Sequence, residues 1–140
     1  MIAVKDIHHY LSQFGVRPSV QRVAIMEYLL THATHPTADE IFQALSPRIP
    51  TLSKTTVYNT LRLLAEHRAI LLLDLDERNT RFDGDITPHA HFICRSCGKV
   101  YDLPLPVEAE DLAVVDPTVE VDDIQIYYKG YCRNCLCKID

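Results

Sequence analysis

Residues 53–83 read SKTTVYNTLRLLAEHRAILLLDLDERNTRFD, and two periodicities inside that stretch decide the fold of the N-terminal half. From Ser53 onward, Val57, Thr60, Leu61, Leu64 and Ala65 recur at helical spacing and line one side of a helix. That leaves Thr55, Tyr58, Asn59 and Arg62 together on the opposite side, a face made of groups that hydrogen-bond base edges and phosphates. Beyond the helix, Ala69–Leu75 and Thr80–Asp83 are short β-prone runs separated by Asp76-Glu77-Arg78-Asn79, which is a hairpin signal.

Working outward towards the N-terminus, every segment is helical with an identifiable stop. Pro47 and Pro50 bound the connection before Ser53. Thr37-Ala-Asp-Glu40 is a capping box, opening a helix with Ala38, Ile41, Phe42 and Leu45 on one face. Gln21–Thr31 is helical and apolar on more than one side. Val4, Ile7, Leu11 and Phe14 mark a first helix that Gly15 caps and Arg17-Pro18-Ser19 breaks. Helix, turn, helix and hairpin together describe a winged helix. A solvated face in an ordinary bundle would carry similar side chains; the hairpin, with a connection of helix-turn-helix length before Ser53, favours DNA binding by the fourth helix. The candidate DNA contacts are Arg17, Lys54, Thr55, Tyr58, Asn59 and Arg62.

The 140-residue chain carries a net charge of -5, which by itself argues against nucleic acid, so distribution decides. Residues 1–70 hold seven Lys/Arg against five acids, and the remaining seventy hold seven against fourteen. Any DNA contact therefore belongs to the N-terminal half. The opening MIAVKDIHHY places Asp6, His8 and His9 where a signal peptide needs an apolar run, and no stretch is long and apolar enough to span a bilayer. The expectation is a cytoplasmic protein with no membrane partner.

Working outward in the other direction, Gly84-Asp-Ile-Thr-Pro88 consists largely of turn formers and is expected to join two domains, 1–83 and 84–140. The second is β-rich: His89–Cys94, Lys99–Leu103 and Thr118–Tyr131 are strand-like, with a helical segment at Val107–Val114. The fold class expected is α+β. In this half lie two C-x-x-C pairs, Cys94/Cys97 and Cys132/Cys135, with Gly98 at the first knuckle. In a reducing compartment such pairs hold metal rather than form disulfides. Two knuckles close a tetrahedron of thiolates around Zn²⁺ with no open position, so the site is structural and its binding energy is part of the folding energy. A redox C-x-x-C would explain one pair and leave the other idle. Cys137 is left over.

A second donor set has different chemistry. His89 and His91 are two apart on a strand and share a face. Asp83 lies upstream, Asp102 lies on the next strand, and His35 precedes the capped helix. Three imidazoles and two carboxylates suit Fe²⁺, Mn²⁺ or Zn²⁺ rather than a thiolate-preferring ion. Spacing alone does not bring the five together.

The chain resembles the ferric-uptake-regulator (Fur) family of bacterial metal-dependent transcription regulators over nearly its whole length. The segments that carry the resemblance are Gly15-Val-Arg-Pro-Ser-Val-Gln-Arg22, His35-Pro-Thr-Ala-Asp39, Thr55-Thr-Val-Tyr-Asn59, Arg81-Phe-Asp83, His89-Ala-His91 with Cys94-Arg-Ser-Cys97-Gly98-Lys99, and the closing cysteine pair. The resemblance implies a homodimeric repressor, not an enzyme. Its winged helix would bind palindromic double-stranded operator DNA, and its C-terminal α/β dimerisation domain would hold the zinc. It also implies that His35, Asp83, His89, His91 and Asp102 form a regulatory site bridging the two domains.

Within the family the pattern is similar to the peroxide-sensing (PerR-like) branch, which has aspartates where iron sensors commonly carry glutamates; here both are Asp83 and Asp102. Pro88-His89-Ala90-His91 stands in place of the His-rich stretch of many iron sensors, and Ile124 occupies a position where many members carry a histidine ligand. The resemblance further implies that Fe²⁺ or Mn²⁺ sets the winged helices at operator spacing. Peroxide acting on the Fe²⁺ form would oxidise His35 and His89 and release the operator. The alternative is an iron-responsive repressor. A non-haem iron enzyme lacks room for a substrate pocket, and a zinc-ribbon interaction module leaves His35 and the outer face of the fourth helix unexplained.

Overall fold

The computed structural model describes residues 4–32, 34–74, 80–114 and 116–136, and mixes helix with sheet in two compact units divided after Ile86. The first unit is α1 (Val4–Gln13), α2 (Val20–Thr31), α3 (Ala38–Leu45) and α4 (Lys54–Glu66), followed by β1 (Leu71–Leu73) and β2 (Arg81–Asp83). Three helices start where a hydroxyl can take an otherwise orphaned amide. Ser19 Oγ accepts from Arg22 N, Thr37 Oγ1 from Glu40 N, and Ser53 Oγ from Thr56 N. The buried faces meet in one core, with Ile7 and Leu11 from α1, Ile25 and Met26 from α2, Ile41 from α3 and Leu61 from α4.

β1 and β2 pair antiparallel, Leu72 opposite Phe82. The expected strand Ala69–Leu75 is shorter in the structure, Leu71–Leu73, because the residues before it are spent leaving α4. Arg68 adopts φ 63° and the Ala69 amide bonds back to the Leu64 carbonyl at 2.9 Å, a left-handed helix exit that buries Ala69 and Ile70 in the core. Leu75 and the expected turn 76–79 lie outside the described residues. Gly84, expected in a loosely packed connection, is buried: a Cβ there would sit 2.9 Å from the Leu29 carbonyl oxygen.

The second unit is a three-stranded sheet in the order β4-β3-β5. Central β3 (Ala90–Cys94) runs antiparallel to β4 (Val100–Leu103) and parallel to β5 (Tyr127–Gly130). A 3-10 turn spans Ala109–Leu112, shorter than the expected helix, and a single-turn α5 (Arg133–Leu136) lies across the second cysteine pair. Of the expected strand Thr118–Tyr131, only Tyr127–Gly130 is strand. A strand exists by its ladder, and β3 supplies partners only to that stretch. Val119 and Val121 alternate as a strand would, yet both are exposed. No helix among the described residues is long and apolar enough to cross a membrane.

Candidate metal centres

In the second unit Cys94 ends β3, Cys97 follows through a turn that Gly98 closes at φ 75°, and Cys132 and Cys135 come from the start of α5. Their four sulfurs lie within 4.8 Å of one another. Four sulfurs each about 2.3 Å from one tetrahedral zinc stand about 3.8 Å apart, and Cys97 Sγ is 3.8 Å from Cys132 Sγ. The thiols are free, and the donor set is the one that zinc prefers. Cys94 Sγ accepts the amides of Cys97 (3.5 Å) and Cys132 (3.4 Å). These bonds to the thiolate pull the Cys94 pKa down to about 6, and a bond from the Cys135 amide lowers that of Cys132. At Cys94 and Cys132 the backbone thus favours the ionised sulfur that a metal requires, whereas at Cys135, against a lowering bond from Ser96, the Cys132 and Cys94 sulfurs push the pKa up to about 11. Phe92 and Tyr101 pack against Cys94, Cys132 and Cys135, which form a buried apolar cluster in this unit. Cys137 lies outside the described residues.

β3 and β4 also hold an imidazole–carboxylate group. His91 stands directly opposite Asp102 in the ladder, and His89 immediately precedes β3 on the same face. His89 Nε2 is 3.2 Å and His91 Nε2 3.3 Å from the same oxygen, Asp102 Oδ1, and the two Nε2 atoms are 3.0 Å apart. His89 Nδ1 lies 2.6 Å from the Thr87 carbonyl, so Nδ1 carries the proton and Nε2 keeps its lone pair for a metal.

The first unit contributes its own pair. His35 Nε2 is 3.5 Å from Asp83 Oδ2, and both residues are buried. His35 sits two residues before the α3 N-cap with φ 55°, a backbone costing about 1 kcal/mol or more for a side chain with a Cβ. Strand β2 holds it there: the Phe82 amide donates to the Pro36 carbonyl at 3.0 Å, Thr37 and Arg81 form an antiparallel bridge, and Arg81 Nη1 donates to the His35 carbonyl at 3.1 Å. Arg81 was legible only as part of a motif, because its role depends on residues 46 positions away. Both groups are nitrogen and oxygen donors, the set that suits Fe²⁺ or Mn²⁺.

On α4, Val57, Thr60, Leu61 and Leu64 are buried while Lys54, Thr55, Tyr58, Asn59 and Arg62 are exposed, Tyr58 at 53%. Arg17 is exposed as well, and its carbonyl accepts from Arg22 Nη1 at 2.9 Å. A polar groove runs beside this face, lined in part by Ser19, Gln21, Arg22, Thr56 and Asn59. Gln21 and Arg22 were not among the expected contacts, since their place beside α4 follows from helix packing; Thr56, on α4 itself, was not among them either.

The sequence profile of the ferric uptake regulator family matches residues 13–129. The chain is similar to the peroxide-responsive repressor PerR of Staphylococcus aureus (strain USA300), 43% identical over 148 aligned positions that cover 98% of this chain and 99% of that protein. The PerR of Staphylococcus epidermidis is also 43% identical, over 89% of this chain and 85% of that one. Among solved structures, PerR from Streptococcus pyogenes, described in connection with peroxide sensing and gene regulation, superposes with a TM-score of 0.54 at 27% identity, covering 96% of this chain and 94% of that one. The Helicobacter pylori ferric uptake regulator superposes with a TM-score of 0.73 at 22% identity, with the same coverage of each chain, a likeness of fold.

Proposed function

This chain belongs to the ferric uptake regulator family, and from that premise we propose that it is a homodimeric, metal-dependent transcriptional repressor of the peroxide-responsive kind. It would work in the cytoplasm by regulation rather than turnover. The observation that carries the reading is the separation of two donor chemistries: four thiols in one cluster, and imidazoles grouped with the short carboxylates Asp83 and Asp102 elsewhere. A 43% identity with peroxide-responsive repressors over nearly the whole chain supports the branch.

In this reading residues 1–83 form a winged helix-turn-helix domain, with β1 and β2 as the wing, and residues 84–140 form the dimerisation domain. α4 enters the major groove of operator DNA. Thr55, Tyr58, Asn59 and Arg62 face base edges, while Arg17 and Lys54 neutralise phosphates. Cys94, Cys97, Cys132 and Cys135 hold structural Zn²⁺ and keep in place the strand that presents His91.

His35 and Asp83 from one domain, with His89, His91 and Asp102 from the other, together hold the regulatory ion. Bound Fe²⁺ would supply reduction of peroxide, which Mn²⁺ does not readily supply. His35 and His89 are the imidazoles that react: net, one peroxide oxygen enters a ring C–H and water leaves. An oxidised ring is a poorer base and a poorer ligand, so the domains lose their shared tie and the recognition helices their operator spacing. A few kcal/mol of differential affinity is sufficient for such a shift.

Anaerobic reconstitution with Fe²⁺ or Mn²⁺, operator binding before and after peroxide, and mass spectrometry test the reading. Expected are loss of binding and one added oxygen at His35 or His89 in the Fe²⁺ form alone. An Fe²⁺ form that keeps both its operator and its unmodified histidines after peroxide would point to an iron-responsive repressor.

A further inference from the structure

We propose that Arg81 is a positioning residue for the regulatory metal, holding His35 in the left-handed backbone that directs its imidazole to Asp83. The inference rests on the reading of His35 and Asp83 as ligands. Three contacts converge on the turn. Arg81 Nη1 donates to the His35 carbonyl at 3.1 Å, the next residue's amide takes the Pro36 carbonyl at 3.0 Å, and Arg81 itself bridges Thr37. Asp83 follows two residues later on the same three-residue strand. One short strand therefore carries one ligand and clamps the backbone of the other.

The sign of the charge separates this role from others. A guanidinium beside a cation site repels the incoming ion, and Glu40, 3.9 Å from Arg81 Nη1 and half exposed, offsets that only in part. On Coulomb's law alone, removing Arg81 should tighten metal binding; if the residue positions His35, removing it should weaken binding. Nor does Arg81 fit a purely stabilising role, for its Nε is buried with no hydrogen-bond partner among the described residues. Lysine would not replace it, because a single ammonium lacks the planar fork that reaches the carbonyl from a strand position.

The test uses the full-length, zinc-loaded protein without regulatory metal and titrates it with Mn²⁺. Arg81→Met should bind Mn²⁺ about 10- to 100-fold more weakly, the range typical of losing an outer-shell partner. Zinc content and cooperative melting should be retained. In the metal-free protein the His35 amide–Hα coupling and Cα shift should leave their left-handed values, and methylguanidinium should restore Mn²⁺ affinity to Arg81→Ala. Affinity equal to or tighter than the parent overturns the proposal, and so does weakened affinity with unmoved His35 signals. If Arg81→Met does not fold, Arg81→Lys decides, since parental affinity there overturns the proposal as well. His35→Ala is the reference. If it binds Mn²⁺ as the parent does, the ligand reading itself fails and takes this inference with it; if it loses binding while Arg81→Met does not, only the inference fails.

Discussion

His91 and Asp102 are direct partners across the β3–β4 ladder, with the imidazole Nε2 3.3 Å from the carboxylate oxygen that also faces His89. Side chains of directly opposed residues on one face of an antiparallel pair lie close enough to share a ligand. The pleat therefore preorganises this donor group before any ion arrives.

Removing the shared oxygen should undo that arrangement. Asp102→Ala is expected to weaken Mn²⁺ binding by at least about tenfold, the lower end of what the loss of even an outer-shell partner costs. Zinc content should stay the same, because Asp102 is not among the residues of the sulfur cluster. Titration calorimetry beside elemental analysis checks both halves. Unchanged Mn²⁺ affinity would show that Asp102 is not a ligand.

The cysteines should behave as a folding determinant. Cys132→Ser leaves three sulfurs around a site at which Cys94, Cys132 and Cys135 are buried against Phe92 and Tyr101, so zinc should be lost and the β3–β4–β5 ladder with it. Hydrogen exchange of the 90–103 amides reports this directly.

Arg62→Ala and Tyr58→Ala remove exposed side chains from α4 and touch neither donor group. Each should cost operator binding about 1–3 kcal/mol if it reads a base edge, with zinc and Mn²⁺ stoichiometry unaltered. A gel shift with operator and scrambled duplexes makes the measurement. Parental affinity in both variants would move the reading face elsewhere.

Two glycines should respond differently to alanine. At Gly84 the new Cβ would meet the Leu29 backbone at 2.9 Å, which α2 cannot yield without shifting, so a loss of roughly 1–3 kcal/mol is expected. At Gly98 nothing lies within 4 Å, and only the φ of 75° resists, at about 1 kcal/mol. Thermal denaturation should rank Gly84→Ala as the more damaging of the two.

The helices were legible in the sequence because their evidence is local: apolar stripes at period 3.6 in the first, third and fourth, a capping box at Thr37, and stops at Gly15 and Pro47. Thr37 caps as the box implies, and Ser19 and Ser53, which were not read as caps, do the same for α2 and α4. Strand limits were less legible, since a strand needs a partner that the local sequence does not name. Thr118–Tyr131 alternates throughout yet is strand only where β3 runs alongside it. Leu71 starts a strand two residues late because Ala69 and Ile70 complete the exit from α4.

The cysteine spacing determined the zinc chemistry by itself, because two residues between two sulfurs is a local constraint that any fold must honour. It determined in the same way that His89 and His91 share a face. The backbone of His35, by contrast, was decided by tertiary structure: a histidine enters φ 55° only when surrounding hydrogen bonds over-determine it, and those come from Arg81 and Phe82, far along the chain. The pairing of His91 with Asp102 likewise required the β3–β4 register, in which a slip of one residue would turn Asp102 to the opposite face. Short-range geometry set which donor side chains share a face or a knuckle, and long-range hydrogen bonding set where each points.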